Sequence, residues 1–319
     1  MNEFDLISKY LRPLSLKNPS ALKLSDDIFF HKEKKIAISM DTYVEGVHFK
    51  NSSKPKYFLK KILRSSLSDL YCKGINPHTY FLSFAINKKL ANSVWLTEVN
   101  KILRSEQVKF NINLGGGDTT TSSKLVVTVT VIGFSKKNPV LRKGALINDD
   151  VYVTGNIGDS FIGLRIVEKK INLGKYNSYF KKSYYEPNLS TKISPFLYKI
   201  ASSSIDISDG LGHDLKQICK ISNCGATINL NRLPLSKQCQ KVIKSKKINL
   251  IKTFSNGDDY QILFTSNQKN RFNIVNLSKK FNIKITIIGK INKKKIILFE
   301  YNNKKFMLSA TKMGYTHSF

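Results

Sequence analysis

Apolar positions recur along the 319-residue chain with two different periods, and the switching between them sets the expected elements. Phe4, Ile7 and Leu11 fall on helical spacing over residues 1–11, and Pro13 is expected to stop that helix. IAISMD (36–41) is an apolar run ending on an aspartate and reads as a buried strand. Between Lys56 and Lys73, residues Phe58, Leu59, Ile62, Leu63, Leu67 and Leu70 return every three or four positions. That is the stripe of an amphipathic helix, closed by Gly74 and then Asn76-Pro77. TYFLSFAI (79–86) predicts a strand. Val94, Trp95, Val99, Ile102 and Leu103 predict a helix over 91–106. VKFNINL (108–114) predicts a strand entering a turn of three glycines, and KLVVTVTVIGF (124–134) another strand.

The first half therefore reads as strands alternating with two helices, an α/β unit with its helices on one face of a small sheet. SKKNPVLRKGALIND (135–149) is polar and broken by Pro and Gly, so a boundary is expected there, giving domains over 1–138 and 139–319. The second half opens on a strand at DVYVTG (150–155), followed by a helix in GDSFIGLRIVEK. SIDISDG then leads into a helix through Leu211, Leu215 and Ile218, with Ser208 or Asp209 as its expected cap. ATINL, YQILFT (260–265), ITIIGKI (285–291) and KIILFE (295–300) supply strands. Both halves are α/β.

Charge changes the picture next. The formal net charge is +31, which first suggests a nucleic-acid-binding protein. The lysines, however, are spread along the whole chain and are not interleaved with aromatic residues. No helix-turn-helix, finger or RNA-binding sheet motif accompanies them, and a lysine-rich composition is the reading favoured. No apolar run reaches the roughly 20 residues of a membrane helix, and the N-terminus has no signal-peptide core. Cytoplasm is the expected compartment. Cys72, Cys219, Cys224 and Cys239 form no Cys-x-x-Cys pair and read as reduced, buried thiols.

In so basic a chain, aspartates that recur beside Gly and Ser at strand ends stand out. They occur at Ser25-Asp26-Asp27, Ser39-Met40-Asp41, Ser68-Asp69, Gly115-Gly116-Gly117-Asp118, Asp206-Ile207-Ser208-Asp209-Gly210 and Gly257-Asp258-Asp259. Magnesium needs hard oxygen ligands, one or two carboxylates per ion, with phosphate and water completing the shell. Converging carboxylates without a cation would repel one another. The three glycines would let backbone N–H groups approach a phosphate. Singly, each has a bland reading: Ser208 and Asp209 are good helix caps, Asp26-Asp27 a solvated loop pair, Asp69 the polar side of a helix. The case rests on their number. No P-loop, kinase signature or dinucleotide fingerprint is present.

At these turns the chain resembles the thiamine-monophosphate kinase family, of the superfamily that includes aminoimidazole ribonucleotide synthetase and selenophosphate synthetase. SMDTYVEGVHF (39–49), SLSDLYCKGINP (66–77), LGGGDTT (114–120), VYVTGNIGDSFIGL (151–164), IDISDGLGHDL (205–215) and GDDYQILF (257–264) carry the resemblance, which spans Phe4 to Phe319. It implies a two-domain α/β (α+β) fold whose N-terminal sheets pair into a barrel across a homodimer. It implies ATP as co-substrate and several Mg2+ ions per site. Asp27, Asp41, Asp69, Asp118, Asp206 and Asp209 match metal positions, with Ser39 and the Met40 backbone beside them. Gly117, Asp118, Arg142 and Ser208 match nucleotide positions, and Phe110 is placed near the adenine. His48 and Asp258 match positions that meet the thiamine phosphate, and Tyr315, in MGYTHSF, is placed to stack on or close over the thiamine.

Three departures accompany the match. Ser25 replaces a glycine, Met40 a threonine and Asp258 a glutamate. The implied reaction is in-line transfer of the γ-phosphate of ATP to thiamine monophosphate, the last step of thiamine diphosphate formation, without a general base. The alternatives are another superfamily member acting on a different small phosphate acceptor, a basic nucleic-acid-binding protein, and a non-catalytic structural relative. Neither nucleic acid nor membrane is an expected partner.

Overall fold

The apolar stripe of residues 56–73 becomes a helix, α1 (Leu59–Cys72), that is buried on nearly every side rather than amphipathic. The structure is a computed structural model that describes residues 3–309 and 313–315. Met1 and Asn2 of the expected first helix, and Thr316–Phe319 of the C-terminal motif, lie outside the described residues. Twelve of the fourteen residues of α1 are buried, among them Lys61, Arg64, Ser65, Ser66 and Ser68. Each fully buried Leu or Ile contributes about 1.5–3 kcal/mol, so Leu59, Ile62, Leu63, Leu67 and Leu70 fix this helix in the interior. It touches one sheet on one side and a second sheet on the other.

The first sheet contains β1 (Phe29–His31), β2 (Ile36–Val44), β3 (Pro77–Ile86), β4 (Asn113–Thr121) and β5 (Val126–Phe134) in the order β1-β2-β5-β3-β4. All pairings are antiparallel except β3–β4, which is parallel. That pair needs a crossover, supplied by α2 (Ser93–Phe110). Val127, Val129 and Val131 of β5, with Tyr80, Leu82 and Phe84 of β3, pack into the core that contains α1 and α2. Met40 and Phe81 lie on the opposite, exposed face.

The second sheet has seven strands: β6 (Asp150–Thr154), β7 (Ser203–Asp206), β8 (Gly225–Asn229), β9 (Ile262–Ser266), β10 (Ile285–Asn292), β11 (Ile297–Tyr301) and β12 (Lys304–Phe306), ordered β12-β11-β8-β10-β6-β9-β7. Strand β7 ends the row at the edge nearest α1. Helices α3 (Asp159–Val167), α4 (Asn177–Tyr185) and α5 (Leu211–Ile221) belong to this half, with further helices at Lys237–Lys244 and Arg271–Phe281.

Four expectations are corrected. Pro13 does not stop the first helix. It occupies an early position of a new turn, Arg12–Ser15, where its missing N–H costs nothing. Residues 108–110 are the last turn of α2, because Asn111 adopts φ 52° and returns its N–H to Gln107. The strand therefore begins at Asn113, and the three glycines form part of β4 instead of a phosphate-cradling turn. A Cβ on Gly117 would collide with the Leu82 carbonyl, so the close strand pairing explains that glycine. Finally, neither Ser208 nor Asp209 caps α5: Gly210 holds that position with φ 126°. The Asp214 carboxylate reaches back from the first turn to accept the N–H groups of Asp209 (3.3 Å) and Gly210 (3.1 Å).

Candidate active site

Where α1 passes between the two sheets, aspartates from four chain segments meet. Strand β2 alternates: Ser39 and Tyr43 turn toward α1 while Met40 turns away, 68% exposed. Asp41 shares the inward side. Its Oδ2 accepts the Tyr43 hydroxyl at 3.2 Å, and that hydroxyl also meets Ser65 (2.6 Å) and Ser66 (3.0 Å) of α1. Asp69 projects from the last turn of α1, and Asp206 ends β7. Ser68 donates to Asp206 at 2.5 Å, tying the helix to that strand. Donor atoms of Asp27, Cys72 and Asp206 lie within 4.8 Å of one another.

The carboxyl groups feel each other. Burial, and then the charges of Asp41, Asp206 and Asp27, push Asp69 well above the usual range. Burial raises Asp41 too, against hydrogen bonds from Ser66 and Tyr43, with Asp27 adding to the rise. Burial and then Asp27 raise Asp206 to about 6, and burial and then Asp206 raise Asp209 to about 7. Asp27 is the exception. Burial alone would raise it, but Arg142 and Lys73 hold it low. The Arg142 guanidinium contacts both of its oxygens, Nε at 3.2 Å from Oδ2. Four carboxylates with raised values and no cation of their own form a set of hard donors in deficit of positive charge. Magnesium fits that set.

Lys73 is the feature that sequence reasoning missed. It is 1% exposed, immediately after α1, where a lysine ordinarily caps a helix end in solvent. Its Nζ lies 2.9 Å from Asp26, 2.6 Å from Asp27 and 2.8 Å from the Ser204 carbonyl. Burial would lower its pKa, yet Asp26 and Asp27 raise it, so the ammonium is charged. Asp26 is fully engaged: its other oxygen accepts the Arg142 backbone N–H at 2.7 Å.

A second pocket of chemistry borders the first. The turn at Gly257-Asp258 packs on Ser208, whose carbonyl accepts the Asp258 N–H at 2.8 Å and leaves no room for a Cβ at Gly257. Asp258, at φ 70°, accepts the Tyr260 hydroxyl at 2.9 Å and pairs with Lys61 at 2.8 Å. Lys61 also lies over the Tyr184 ring, 4.0 Å from its centroid. Sequence reasoning missed Lys61 for the same reason as Lys73: a lysine in a helical stripe looks like solvated surface. His48 follows β2 with its Nδ1 accepting the Val44 N–H at 2.9 Å and its ring edge-on to Tyr43 at 5.7 Å. Tyr315 donates its backbone N–H to the Asp209 carbonyl at 3.0 Å, and its side chain is half exposed.

Thus Asp27, Asp41, Asp69, Asp206 and Asp209 come together, with Ser39, Arg142 and Ser208 adjoining, and His48, Asp258 and Tyr315 bordering them. Asp118, Gly117 and Phe110 do not join them within one chain. Gly117 and Asp118 lie on β4, separated from β2 by β5 and β3, about 14 Å at the usual strand spacing. Asp118 pairs with Ser83, whose neighbours Leu82 and Phe84 face the core, so Asp118 points to the uncovered face. Phe110 is buried against Tyr71 and Arg64.

Residues 24–135 match the family model described as AIR synthase related protein, N-terminal domain. The thiamine-monophosphate kinase of Buchnera aphidicola subsp. Schizaphis graminum is 37% identical over 99% of this chain and 98% of its own length. That of Haemophilus influenzae is 32% identical over 92% of this chain and 90% of its own. Among solved structures, AaThiL complexed with AMPPCP and TMP superimposes with a TM-score of 0.85 at 24% identity, covering 99% of this chain and 97% of that one. At that identity the last likeness is one of fold.

Proposed function

The chain belongs to the thiamine-monophosphate kinase family, and on that premise we propose that the carboxylates gathered around α1 hold the magnesium of its ATP. The enzyme phosphorylates thiamine monophosphate with ATP. An oxygen of the acceptor phosphate attacks the γ-phosphorus, the bond to the bridging oxygen breaks, and ADP leaves. The acceptor oxygen is already anionic near neutral pH, so no residue has to take its proton. The work is to bring two anions together.

Asp27, Asp41, Asp69, Asp206 and Asp209 would hold several ions, with Ser39 and the Met40 backbone alongside. Magnesium, when bound, neutralises phosphate charge and polarises the γ-phosphoryl group. Arg142 and Ser208 serve the nucleotide. His48, Asp258 and Tyr315 take the thiamine end, where Lys61 adds a buried cation. One observation carries the reading: aspartates from four separate segments meet, and those of three of them, Asp41, Asp69, Asp206 and Asp209, have raised carboxyl values and too little positive charge.

A homodimer belongs to the same reading. Strand β4 is exposed along all nine residues and, among the described residues, pairs with β3 alone. Met40 and Phe81 are bare on the sheet face away from α1. Such an edge and face invite a second copy, whose β4 would bring Gly117 and Asp118. We place the division between the N-terminal (1–138) and C-terminal (139–319) domains in the segment between β5 and β6, a reading supported by the strand order of the two sheets. A cytoplasmic setting accords with the ATP consumed and with four free, buried cysteines. Among the described residues no helix is long and apolar enough to cross a membrane.

The test is ADP release from ATP with magnesium and thiamine monophosphate, with thiamine diphosphate identified by chromatography. Both products are expected, and chelation of magnesium should abolish them. Turnover only with another phosphate acceptor would move the substrate, and no turnover at all would end the kinase reading.

A further inference from the structure

The Lys73 ammonium has three hydrogens and three acceptors, Asp26 at 2.9 Å, Asp27 at 2.6 Å and the Ser204 carbonyl at 2.8 Å. Its side chain is fully enclosed and among the largest fully buried groups of the described residues. Its backbone is fixed as well. Its N–H closes the end of α1 on Leu70 and Tyr71, and its carbonyl accepts the Val140 N–H at 3.0 Å. Ser204 donates to the Cys72 carbonyl at 2.5 Å, so β7 is pinned to the same turn. The ammonium cannot swing out to solvent without opening the seam between α1 and β7.

That geometry matters because Asp27 faces two ways. One oxygen meets Lys73, while the carboxylate also lies within 4.8 Å of Asp206, in the cluster where a divalent ion would bind. Lys73 and Arg142 together balance Asp26 and Asp27, leaving Asp41, Asp69, Asp206 and Asp209 as the surplus negative charge. A cation arriving at Asp27 must share it with a fixed positive charge a few ångströms away, and that repulsion persists in a partly buried setting.

We propose that Lys73 is a positioning residue whose ammonium acts as a resident cation of the carboxylate cluster. It holds Asp27 in place and competes with divalent ions for it. The inference rests on reading the cluster as the divalent-ion site. Its consequence is that the free enzyme binds divalent cations weakly, and that the ion is taken up mainly with the phosphates of the nucleotide, which add ligands Lys73 does not contest.

The experiment is Mn2+ binding to the full chain without nucleotide, read from the free-ion signal in electron paramagnetic resonance. Lys73→Met should tighten Mn2+ binding by at least about tenfold. Unchanged or weaker binding by folded Lys73→Met, folding being checked by circular dichroism, would overturn the proposal. Asp26→Asn keeps the ammonium and removes one of its two carboxylates, leaving Lys73 more firmly on Asp27. Mn2+ binding should then weaken, at least about fivefold. This variant decides the matter if Lys73→Met does not fold, and an affinity equal to the wild type would count against Lys73. Absence of Mn2+ uptake by the wild type and both variants, even with ATP present, would overturn the divalent-ion reading itself. Uptake with equal affinity in all three overturns the role of Lys73 alone.

Discussion

Asp41 accepts hydrogen bonds from Tyr43 and Ser66 and yet has a raised pKa, because burial and Asp27 outweigh them. An asparagine of the same shape would accept the Tyr43 hydroxyl equally well but could not share the charge of a metal. Asp41→Asn and Asp206→Asn should each lower kcat by at least about a hundredfold, with little change in thermal unfolding. Replacing Lys244 or Lys247, far along the chain in an exposed run, should leave kcat alone. Steady-state kinetics on the four variants checks this, and equal losses would show that the aspartates have no special place. At this scale the aspartates were legible in the sequence because they are rare and sit beside Gly and Ser. Lys73 and Lys61 were not. A lysine at a helix end or in a helical stripe usually reaches water, and only the approach of the 26–27 and 258 turns buries these two.

Between elements, one buried ion pair joins α1 to α2 within their shared apolar core. Arg64 donates twice to Glu106, at 2.7 and 2.8 Å, and once to the Pro187 carbonyl at 3.1 Å. Glu106→Gln would leave a buried guanidinium without its counter-charge, and should cost about 3–5 kcal/mol in chemical denaturation. A loss under 1 kcal/mol would mean that water reaches the pair. At the start of α3, Asp159 accepts Ser236 at 2.7 Å and Tyr179 at 2.8 Å, and Asp259 accepts the Gly158 N–H at 2.8 Å. Burial raises both carboxyls, and the Asp159 charge adds to the rise at Asp259. The folded state therefore keeps protons that the unfolded chain gives up near pH of about 4. Stability from these groups is greatest below that value and falls as pH rises through the folded values. As pH rises above about 4, the melting temperature of Asp159→Asn should fall less steeply than that of the wild type; parallel profiles would contradict the assignment. Strong periodicity made α1, β2 and β5 readable in advance. The run 108–121 was misread because Val108 and Phe110 suit either period, and a left-handed Asn111 decides where the helix ends.

At the scale of the molecule, one chain does not assemble every residue that the family resemblance assigns to the site. The α/β character of both halves was legible from the alternation of strands and helices; β1–β5 precede residues 135–149 and β6–β12 follow them. What a single sequence could not yield is which face of the first sheet stays bare. Helices α1 and α2 cover one side, while Met40 and Phe81 are exposed on the other, with Asp118 on the same side at the far edge. Two chains of charge +31 repel, so their pairing should strengthen as salt rises toward physiological levels. Sedimentation should then give about twice the 36.3 kDa of one chain. If Asp118 of one copy serves the Asp41 of the other, Asp41→Asn and Asp118→Asn homodimers are each inactive. Reassembling an equal mixture puts both lesions into one site of every hybrid and leaves the second site intact. Half the dimers are hybrids, so about a quarter of the wild-type rate should return. If Asp118 instead served its own chain, every site would carry one lesion and mixing would restore nothing. The two placements of β4 are thus separated by a rate measurement that needs no further structure.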